Sequence, residues 1–242
     1  EGESKVEAEA GKISQEKAPG TAWYPEKQDS GITIDSRPVA GSSALELRAI
    51  VELNAGTIAA SQFLQDPATN SQWVPGSKDV SIIERPARGV TLVHFVMEGS
   101  WPFQSRDAVA RFELTQTPDD IIWIRFNSEP RLLPELAGTV RMETYAGCWR
   151  LTPQSPSRTH LEYQSHIEAG GAVPAWMANT VAIRSTYKAM QNLERLVPTY
   201  VATDVRALAF LREPVHFQSG AILPMGEHAC EEAFEKVSSV GK

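Results

Sequence analysis

The chain has 242 residues, of which 42% are hydrophobic and 22% are charged, proportions that suit a folded protein with a sizeable core. Its formal net charge of −7 argues against a nucleic-acid binder, which normally carries a basic stripe. No apolar run reaches the roughly 18 residues that a membrane-spanning helix needs. We therefore expect a protein that is soluble or peripheral to a membrane.

The N-terminal residues 1–22 are charged, small and weakly apolar, which predicts a flexible arm. The sequence begins at Glu1 and not at a methionine, which removal of a presequence or a cloning boundary would explain. The compartment stays open. An imported or exported protein, in the mitochondrion or the periplasm, is favoured, and a cytoplasmic protein is the alternative.

The two cysteines, Cys148 and Cys230, provide neither a disulfide framework nor the spacing of a metal site. Cys148 lies within an apolar, strand-like run, where a free thiol behaves as a small hydrophobic side chain. We expect Cys148 to be an unpaired, buried thiol, with a Cys148–Cys230 bond as the alternative. No metal ligand set is predicted.

A succession of short strands fills the chain from the arm to about residue 168. Turns that carry Gly, Pro, Ser or Asp separate them, as in a meandering antiparallel sheet. The predicted strands are residues 31–39, 44–53, 78–86, 89–97, 108–117, 120–127, 139–153 and 158–168. Between the second and third, residues 57–73 have helical spacing and are interrupted by Pro67, which predicts a short helical pair. Strands that follow one another without long helices exclude a doubly wound α/β fold.

One long helix is predicted over residues 174–197, and Pro174 suits its first turn. A helix of this length spans roughly 36 Å at 1.5 Å per residue, enough to cross a whole curved sheet. Its apolar stripe consists of Trp176, Thr180, Ile183, Tyr187 and Met190. A helix laid across a bent sheet leaves a hollow, which is either packed with side chains or open to a ligand.

Five segments in this order resemble those of the START family, the lipid-transfer domains related to the steroidogenic acute regulatory protein. They are a first hairpin at 31–53, "FLQDPATNSQWV" with Asp66 and Trp73, "WPFQSRDAV" with Arg106 and Asp107, "GTVRMETYAGCWRLTP" with Arg141 and Trp149, and "THLEYQSHIEAGGAVPAWMANT". The resemblance covers residues 23–197.

The resemblance implies an α+β helix-grip fold, in which a curved antiparallel sheet of about nine strands wraps around the C-terminal helix. It also implies an internal tunnel that holds one lipid, gated by the loop at residues 99–105 and by the helix at 174–197. Such a domain binds, carries or senses lipid without catalytic groups. A lipid is then the expected ligand in place of a cofactor, and a membrane surface is a transient partner.

Ten residues are candidate contacts of that lipid, and ordinary core packing is the alternative for each of them. They are His94, Trp101, Phe103, Phe112, Trp123, Met142, Trp176, Thr180, Ile183 and Tyr187. Strand alternation favours a lumen-facing set of Val140, Met142, Thr144 and Ala146 over Tyr145. Four further residues, Arg106, Asp107, Arg141 and Trp149, are expected to be structural, the first two by fixing the geometry of the loop.

The sequence departs from the resemblance at the polar anchor of sterol-binding members. Phe112 stands where those members carry a basic residue, and neither Val93 nor His94 supplies the acidic partner. The resemblance therefore does not imply a sterol.

Residues 198–242 continue beyond the resemblance and are predicted to form a helical extension with an amphipathic first segment. The extension either packs back on the domain or contacts another protein. The second case gives the alternative function, an accessory or scaffold subunit of a larger assembly at an organellar membrane, with the terminal segments as tethers.

Overall fold

A computed structural model describes residues 22–99, 103–202, 208–226 and 229–230. Ten strands form one sheet. They are β1 (Tyr24–Asp29), β2 (Ile32–Pro38), β3 (Leu45–Leu53), β4 (Ser77–Ala87), β5 (Val90–Met97), β6 (Ser105–Gln116), β7 (Ile122–Ser128), β8 (Thr139–Arg141), β9 (Tyr145–Ser155) and β10 (Arg158–Ile167).

Nine of the strands are hydrogen-bonded in the order β1-β2-β3-β10-β9-β7-β6-β5-β4, all antiparallel. The short β8 pairs with the start of β6 in parallel. Because β3 pairs with β10, the first hairpin joins the end of the meander and the order departs from the sequence. The predicted α+β class and antiparallel sheet of about nine strands are confirmed.

Three α-helices whose full bounds lie in the described part of the chain accompany the sheet: α1 (Thr57–Gln65), α2 (Pro67–Trp73) and α3 (Ala175–Leu196). The helical pair divides at Asp66, whose side chain accepts a hydrogen bond from the backbone N–H of Ala68 and so caps α2 at its N-terminus. α3 packs chiefly on β2, β3 and α2. No helix in the described ranges is both long and apolar enough to cross a membrane.

The face of the sheet that α3 covers, called here the inner face, is apolar. On α3, Ile183, Met190 and Leu193 join one hydrophobic core with Ile34 of β2 and Ala49 of β3. The register carries this face across the sheet, because Ala49 pairs with Tyr163, Tyr163 with Trp149 and Trp149 with Ile124. Facing residues on adjacent strands project to the same side, so the inner face extends well beyond the part that α3 covers.

The opposite, outer face is lined with opposite charges on adjacent strands. Arg37 of β2 pairs with Glu46 of β3 at 2.5 Å, and the ion pair of Arg150 on β9 with Glu162 on β10 has a fully buried carboxylate. Cross-strand pairs of opposite charge favour this register. They also make the outer face a poor surface for an apolar ligand.

The C-terminal segment, residues 208–226, passes the β4–β5 and β6–β7 turns at one end of the strands and lies against the outer face. Asp120 accepts hydrogen bonds from the backbone N–H groups of Val215 at 2.9 Å and His216 at 3.0 Å, and Glu162 accepts one from the N–H of Met225 at 2.8 Å. Of the two arrangements that the sequence allowed, this segment takes the one in which it packs on its own domain. Within the predicted helical extension, residues 208–226 are turn and irregular chain, residues 229 and 230 are helical, and residues 203–207 of the amphipathic first segment lie outside the described ranges.

The prediction that Cys148 is a free thiol is wrong. Cys148 is bonded to Cys230, with the two Cα atoms 5.6 Å apart and 82 positions apart in sequence. Cys148 projects from β9 to the outer face, where the C-terminal segment brings Cys230 onto it and Met225 covers both. The pairing therefore depends on where the extension packs, which the spacing of two isolated cysteines does not reveal.

Two strand predictions also differ from the structure. The charged segment Tyr24–Asp29, for which no strand was predicted, is the edge strand β1. Residues 139–153 form two strands, because the chain leaves the sheet at residues 142–144 between β8 and β9. The break resets the alternation, so Tyr145 and not Ala146 lies on the inner face with Phe126 and Phe95.

Candidate functional site

Aromatic rings occupy the inner face beyond the strands on which α3 packs. Phe95, Phe112, Phe126, Tyr145 and Tyr163 form a connected cluster whose neighbouring ring centroids are 5.1 to 6.1 Å apart. Trp149 extends it, with its centroid 4.2 Å from that of Tyr163. A glycine in β9 leaves room for the rings: a Cβ on Gly147 would lie 2.8 Å from Phe126 Cζ and 2.2 Å from the carbonyl oxygen of Gln164.

Four rings of the cluster, Phe95, Phe112, Tyr145 and Tyr163, are only partly buried by other protein atoms. Nevertheless, burial raises the pKa of the Tyr163 hydroxyl to about 12, against a small lowering by a hydrogen bond with Ser165. Burial also raises the pKa of Tyr145, and neighbouring Tyr163 adds to the rise. Burial is the largest cause of both pKa shifts, although protein atoms do not fully enclose the two rings.

A third polar group lies next to this cluster. The indole ring of Trp73, on α2, meets that of Trp149 edge to face at 5.9 Å. Its Nε1 is buried and has no hydrogen-bond acceptor within the described part of the chain. A buried donor without an acceptor costs free energy, so this N–H is a candidate donor to a bound molecule.

The candidate residues of α3 fall into different environments. Ile183 is 8% exposed and belongs to the core, as the apolar stripe predicted. Tyr187 donates a hydrogen bond from its hydroxyl to Asp29 at 2.8 Å, and Lys27 lies over its ring, so this residue contacts β1 and not the aromatic cluster. The Thr180 hydroxyl donates to the carbonyl of Trp176 in the preceding turn, and the Trp176 side chain is 52% exposed.

The loop at residues 99–105 connects β5 to β6, at the same end of the sheet as the start of α3. The Arg106 guanidinium joins the two, donating to the carbonyl of Gln104 in the loop and, at 3.4 Å, to that of Ala169 before α3. Gly99 sits at the neck of the loop, where a Cβ would lie 2.2 Å from the carbonyl oxygen of Gln104. Phe103 is half-buried. Trp101 lies outside the described residues.

His94 projects to the outer face, so its predicted contact with a ligand inside the grip is not supported. Its Nε2 is 2.9 Å from Oδ2 of Asp107, a carboxylate with no exposure. The same oxygen accepts from Arg141 Nη2 at 2.7 Å, and Thr139 donates to Oδ1 at 3.1 Å. Burial alone would raise the pKa of Asp107, but the hydrogen bonds from Arg141, His94 and Thr139 hold it below its usual value.

The Arg141 guanidinium also donates to the carbonyl oxygens of Pro130, Leu133 and Pro134. It therefore fastens the β7–β8 loop to β6. Asp107, expected to fix the geometry of the loop, instead accepts side-chain donors from two strands, His94 of β5 and Thr139 and Arg141 of β8. This arrangement connects structural elements and presents no free group to a ligand.

Trp123 and Met142 are also outside the aromatic cluster. Trp123 lies on the outer face against Cys148 and Met225, with the Arg150 guanidinium 5.9 Å from its ring centroid. Met142 is buried in the break between β8 and β9, with its N–H bonded to the backbone carbonyl of Asp107. Of the ten candidate contacts, Phe112 joins the cluster, Ile183 joins the core beside it, and Phe103 and Trp176 lie at the end where the loop meets α3.

Comparison with known proteins agrees with this architecture. The START domain family model matches residues 3–200. An uncharacterized protein of Pseudomonas aeruginosa is 22% identical over 171 residues, which cover 71% of this chain and 84% of that protein.

Two solved structures are similar over most of the chain. A STAR-related lipid transfer protein from Xanthomonas axonopodis is 27% identical, with a TM-score of 0.67 over 72% of this chain and 98% of that one. The human StAR-related lipid transfer protein 5 shares the fold at 18% identity, with a TM-score of 0.68 over 81% of this chain and 96% of that one. Because the family model matches well over half of the sequence and the sheet and helix follow the same plan, this chain belongs to the START domain family.

Proposed function

We propose that this protein binds a single lipid between α3 and the aromatic part of the inner face, and carries or senses it without catalysis. The observation that supports this most directly is the state of Tyr145 and Tyr163. Their rings are only partly enclosed by protein atoms, while burial raises the pKa of both hydroxyls. Groups that line a closed, apolar cavity have this combination of properties.

The lining that we propose is apolar with a few polar groups. Phe95, Phe112 and Phe126 would contact acyl or ring carbons, and the hydroxyls of Tyr145 and Tyr163 would orient a polar group of the lipid. The N–H of Trp73 would be a further donor. Ligand sites of proteins commonly combine a mostly apolar wall with a small number of placed polar groups.

The proposed entrance lies where the loop at residues 99–105 meets the start of α3. Trp176 and Val181, near the start of the helix, are 52% and 57% exposed. Exposed apolar groups beside a lipid entrance would dip into the membrane surface, where rings are well accommodated. A membrane is therefore the proposed transient partner. The alternative of a scaffold subunit gains no support from residues 208–226, since these pack on the domain itself.

Replacing Trp101 and Phe103 with serine tests the gate. We expect lipid transfer between labelled vesicles to fall at least fivefold, while the thermal midpoint changes little. The matched control is Phe217→Ser, because Phe217 is 40% exposed on the C-terminal segment and lies at the other end of the sheet. A fully buried ring would cost about 3–5 kcal/mol of stability on truncation, so a collapse of the melting point would assign the rings to the core and refute the gate.

Replacing Tyr145 and Tyr163 together with phenylalanine tests the polar anchors. We expect a lipid that carries a hydroxyl or phosphate to bind about thirtyfold more weakly, since two hydrogen bonds are lost and each is worth about 1 kcal/mol. Tyr187→Phe is the matched control, because its hydroxyl is bonded to Asp29 and not directed at the cluster. Equal losses in the double variant and the control, measured by displacement of a fluorescent lipid, would contradict the proposed lining.

A further inference from the structure

A cleft of about 660 Å³ lies at the end of the sheet opposite the loop at residues 99–105. Three parts of the chain form it: the corner between α1 and α2, the turn between β4 and β5, and the chain after α3. Its lining includes Gln62, Asp66, Arg85, Arg88, Tyr200 and Phe210. The volume lies within the range of small-molecule sites, about 300–1,000 Å³.

One wall of the cleft comes from residues beyond the part of the chain that the START family model matches. Leu208, Ala209 and Phe210 line it, whereas the match ends at residue 200. Phe210 fits closely against Gly89, since a Cβ on Gly89 would lie 3.2 Å from Phe210 Cζ, and Gly89 has a φ of +73° that favours glycine. The Arg88 guanidinium lies 4.8 Å from the centroid of the Phe210 ring. The wall is therefore held in place by the β4–β5 turn and belongs to this chain's extension.

The two arginines of the cleft differ from those on the sheet. Arg111, Arg125 and Arg150 each form an ion pair with a carboxylate on the outer face. Among the residues that the structure describes, neither Arg85 nor Arg88 forms one. In a protein with a formal net charge of −7, two guanidinium groups at one cleft that form no ion pair with a described carboxylate make a local positive site.

Asp66 is the one carboxylate among the described residues that line the cleft, and it is already engaged. Oδ1 of Asp66 accepts from the N–H of Ala68 at 2.9 Å, and Oδ2 accepts from the Tyr200 hydroxyl at 2.9 Å. Asp66 thus caps α2 and holds Tyr200 in the wall, and both of its oxygens have partners within the protein. Its charge lowers the net positive charge of the cleft, but within the described ranges no carboxylate pairs with the exposed side chains of Arg85 and Arg88.

We propose that this cleft binds a molecule that combines a phosphate group with an apolar part. Two guanidinium forks match the oxygens and the double charge of a phosphate monoester, and Arg binds phosphate through paired hydrogen bonds. Phe210, Leu208 and Val90 provide the surface for the apolar part, and the amide of Gln62 adds a polar contact. The phosphate belongs either to a lipid headgroup or to a soluble phosphate ester. This site is separate from the lipid site of the inner face.

Titration of the full-length protein with phenyl phosphate tests this proposal, with the guanidinium Nε–H resonances of Arg85 and Arg88 followed by NMR. We expect both to shift, and the double variant Arg85→Gln/Arg88→Gln to bind at least tenfold more weakly. The control is Arg131→Gln/Arg195→Gln, which removes the same charge from two exposed arginines outside the cleft and should change the Kd less than twofold. Phe210→Ala should weaken phenyl phosphate but not inorganic phosphate.

Equal losses in both double variants, or shifts spread over the arginines without preference for Arg85 and Arg88, would overturn the proposal. Vesicles with and without phosphatidic acid separate the two sources of phosphate. If the Arg85→Gln/Arg88→Gln variant loses its retention on the acidic vesicles, the ligand is a lipid headgroup. If it keeps its retention but loses phenyl phosphate, the ligand is a soluble ester. Lipid transfer by the variant from neutral vesicles should stay at the wild-type rate, so failure at the cleft is distinguishable from failure of the inner-face site.

Discussion

Replacing Arg141 with methionine is expected to lower the free energy of unfolding by about 3–5 kcal/mol, because it leaves the buried carboxylate of Asp107 without its cation. The two residues are 2.7 Å apart and their side chains are 2% and 0% exposed. The loss also frees three carbonyl oxygens of the β7–β8 loop that the guanidinium holds. Chemical denaturation followed by circular dichroism measures the change.

The double variant Arg141→Met/Asp107→Asn is the matched control. Removal of the charge with the cation should recover part of the loss, because an unpaired buried charge is the larger cost. If Asp107→Asn lowers the stability of the Arg141→Met variant by as much as it lowers that of the wild type, the two side chains do not interact.

The same carboxylate predicts a dependence of stability on pH. The pKa of Asp107 in the folded protein is held below its unfolded value, so its contribution is complete above the unfolded pKa of about 4 and is lost as the pH falls through the folded pKa. Arg141→Met should remove part of this acid dependence. If the free energy of unfolding of the variant falls at low pH as steeply as that of the wild type, the dependence comes from other carboxylates. Glu113 is one of these, since its pKa is also lowered.

Breaking the Cys148–Cys230 bond is the second change for which we expect a large effect. Loop closure over a separation of 82 residues corresponds to about 4 kcal/mol in the chain-entropy description. Cys230→Ala should therefore lower the free energy of unfolding by about that amount. It should also expose the outer face near Trp123, which tryptophan fluorescence quenching would detect.

Reduction of the wild-type protein is the matched experiment, since it breaks the bond without changing a side chain. Reduced wild type and Cys230→Ala should unfold at the same denaturant concentration. If the reductant leaves the unfolding midpoint of the wild type unchanged, the bond does not form in solution, and the C-terminal segment is held by other contacts, which include its hydrogen bonds to Asp120, Pro153 and Glu162.

The sequence predicts the regular part of the fold because local patterns determine it. Period-two alternation and turn residues located the strands, and a stripe of 3.6 period located α3 at Ala175–Leu196, close to the predicted 174–197. The edge strand β1 was missed because its segment, Tyr24–Asp29, has an exposed, charged composition without an apolar alternation. Its pairing with β2 is a tertiary property.

The candidate site is harder to predict, because a shift of one residue anywhere in a strand moves every later side chain to the opposite face of the sheet. His94 and Trp123 were predicted to contact a ligand inside the tunnel, yet both side chains project to the outer face of the sheet. The break at residues 142–144 shifts the alternation so that Tyr145 replaces Ala146 on the inner face. A signal for the aromatic cluster was available but weak: Phe112 and Phe126 lie opposite each other on the neighbouring strands β6 and β7.

The disulfide and the cleft depend on the extension, for which the resemblance supplied no template. The backbone of residues 215–225 is held by separate hydrogen bonds to Asp120, Pro153 and Glu162. Such contacts leave no periodic pattern in the sequence. For this reason a segment with an amphipathic start was predicted as helical although residues 208–226 are irregular chain.

Native mass spectrometry of gently purified protein tests the central proposal, that one lipid is held between α3 and the aromatic inner face. We predict a mass above that of the polypeptide by one lipid molecule, lost on organic extraction and restored by incubation with vesicles. The Tyr145→Phe/Tyr163→Phe variant should retain less of that lipid than Tyr187→Phe. A protein that carries no lipid before or after incubation with vesicles, and instead stays in a stable complex with another protein, would contradict the proposal.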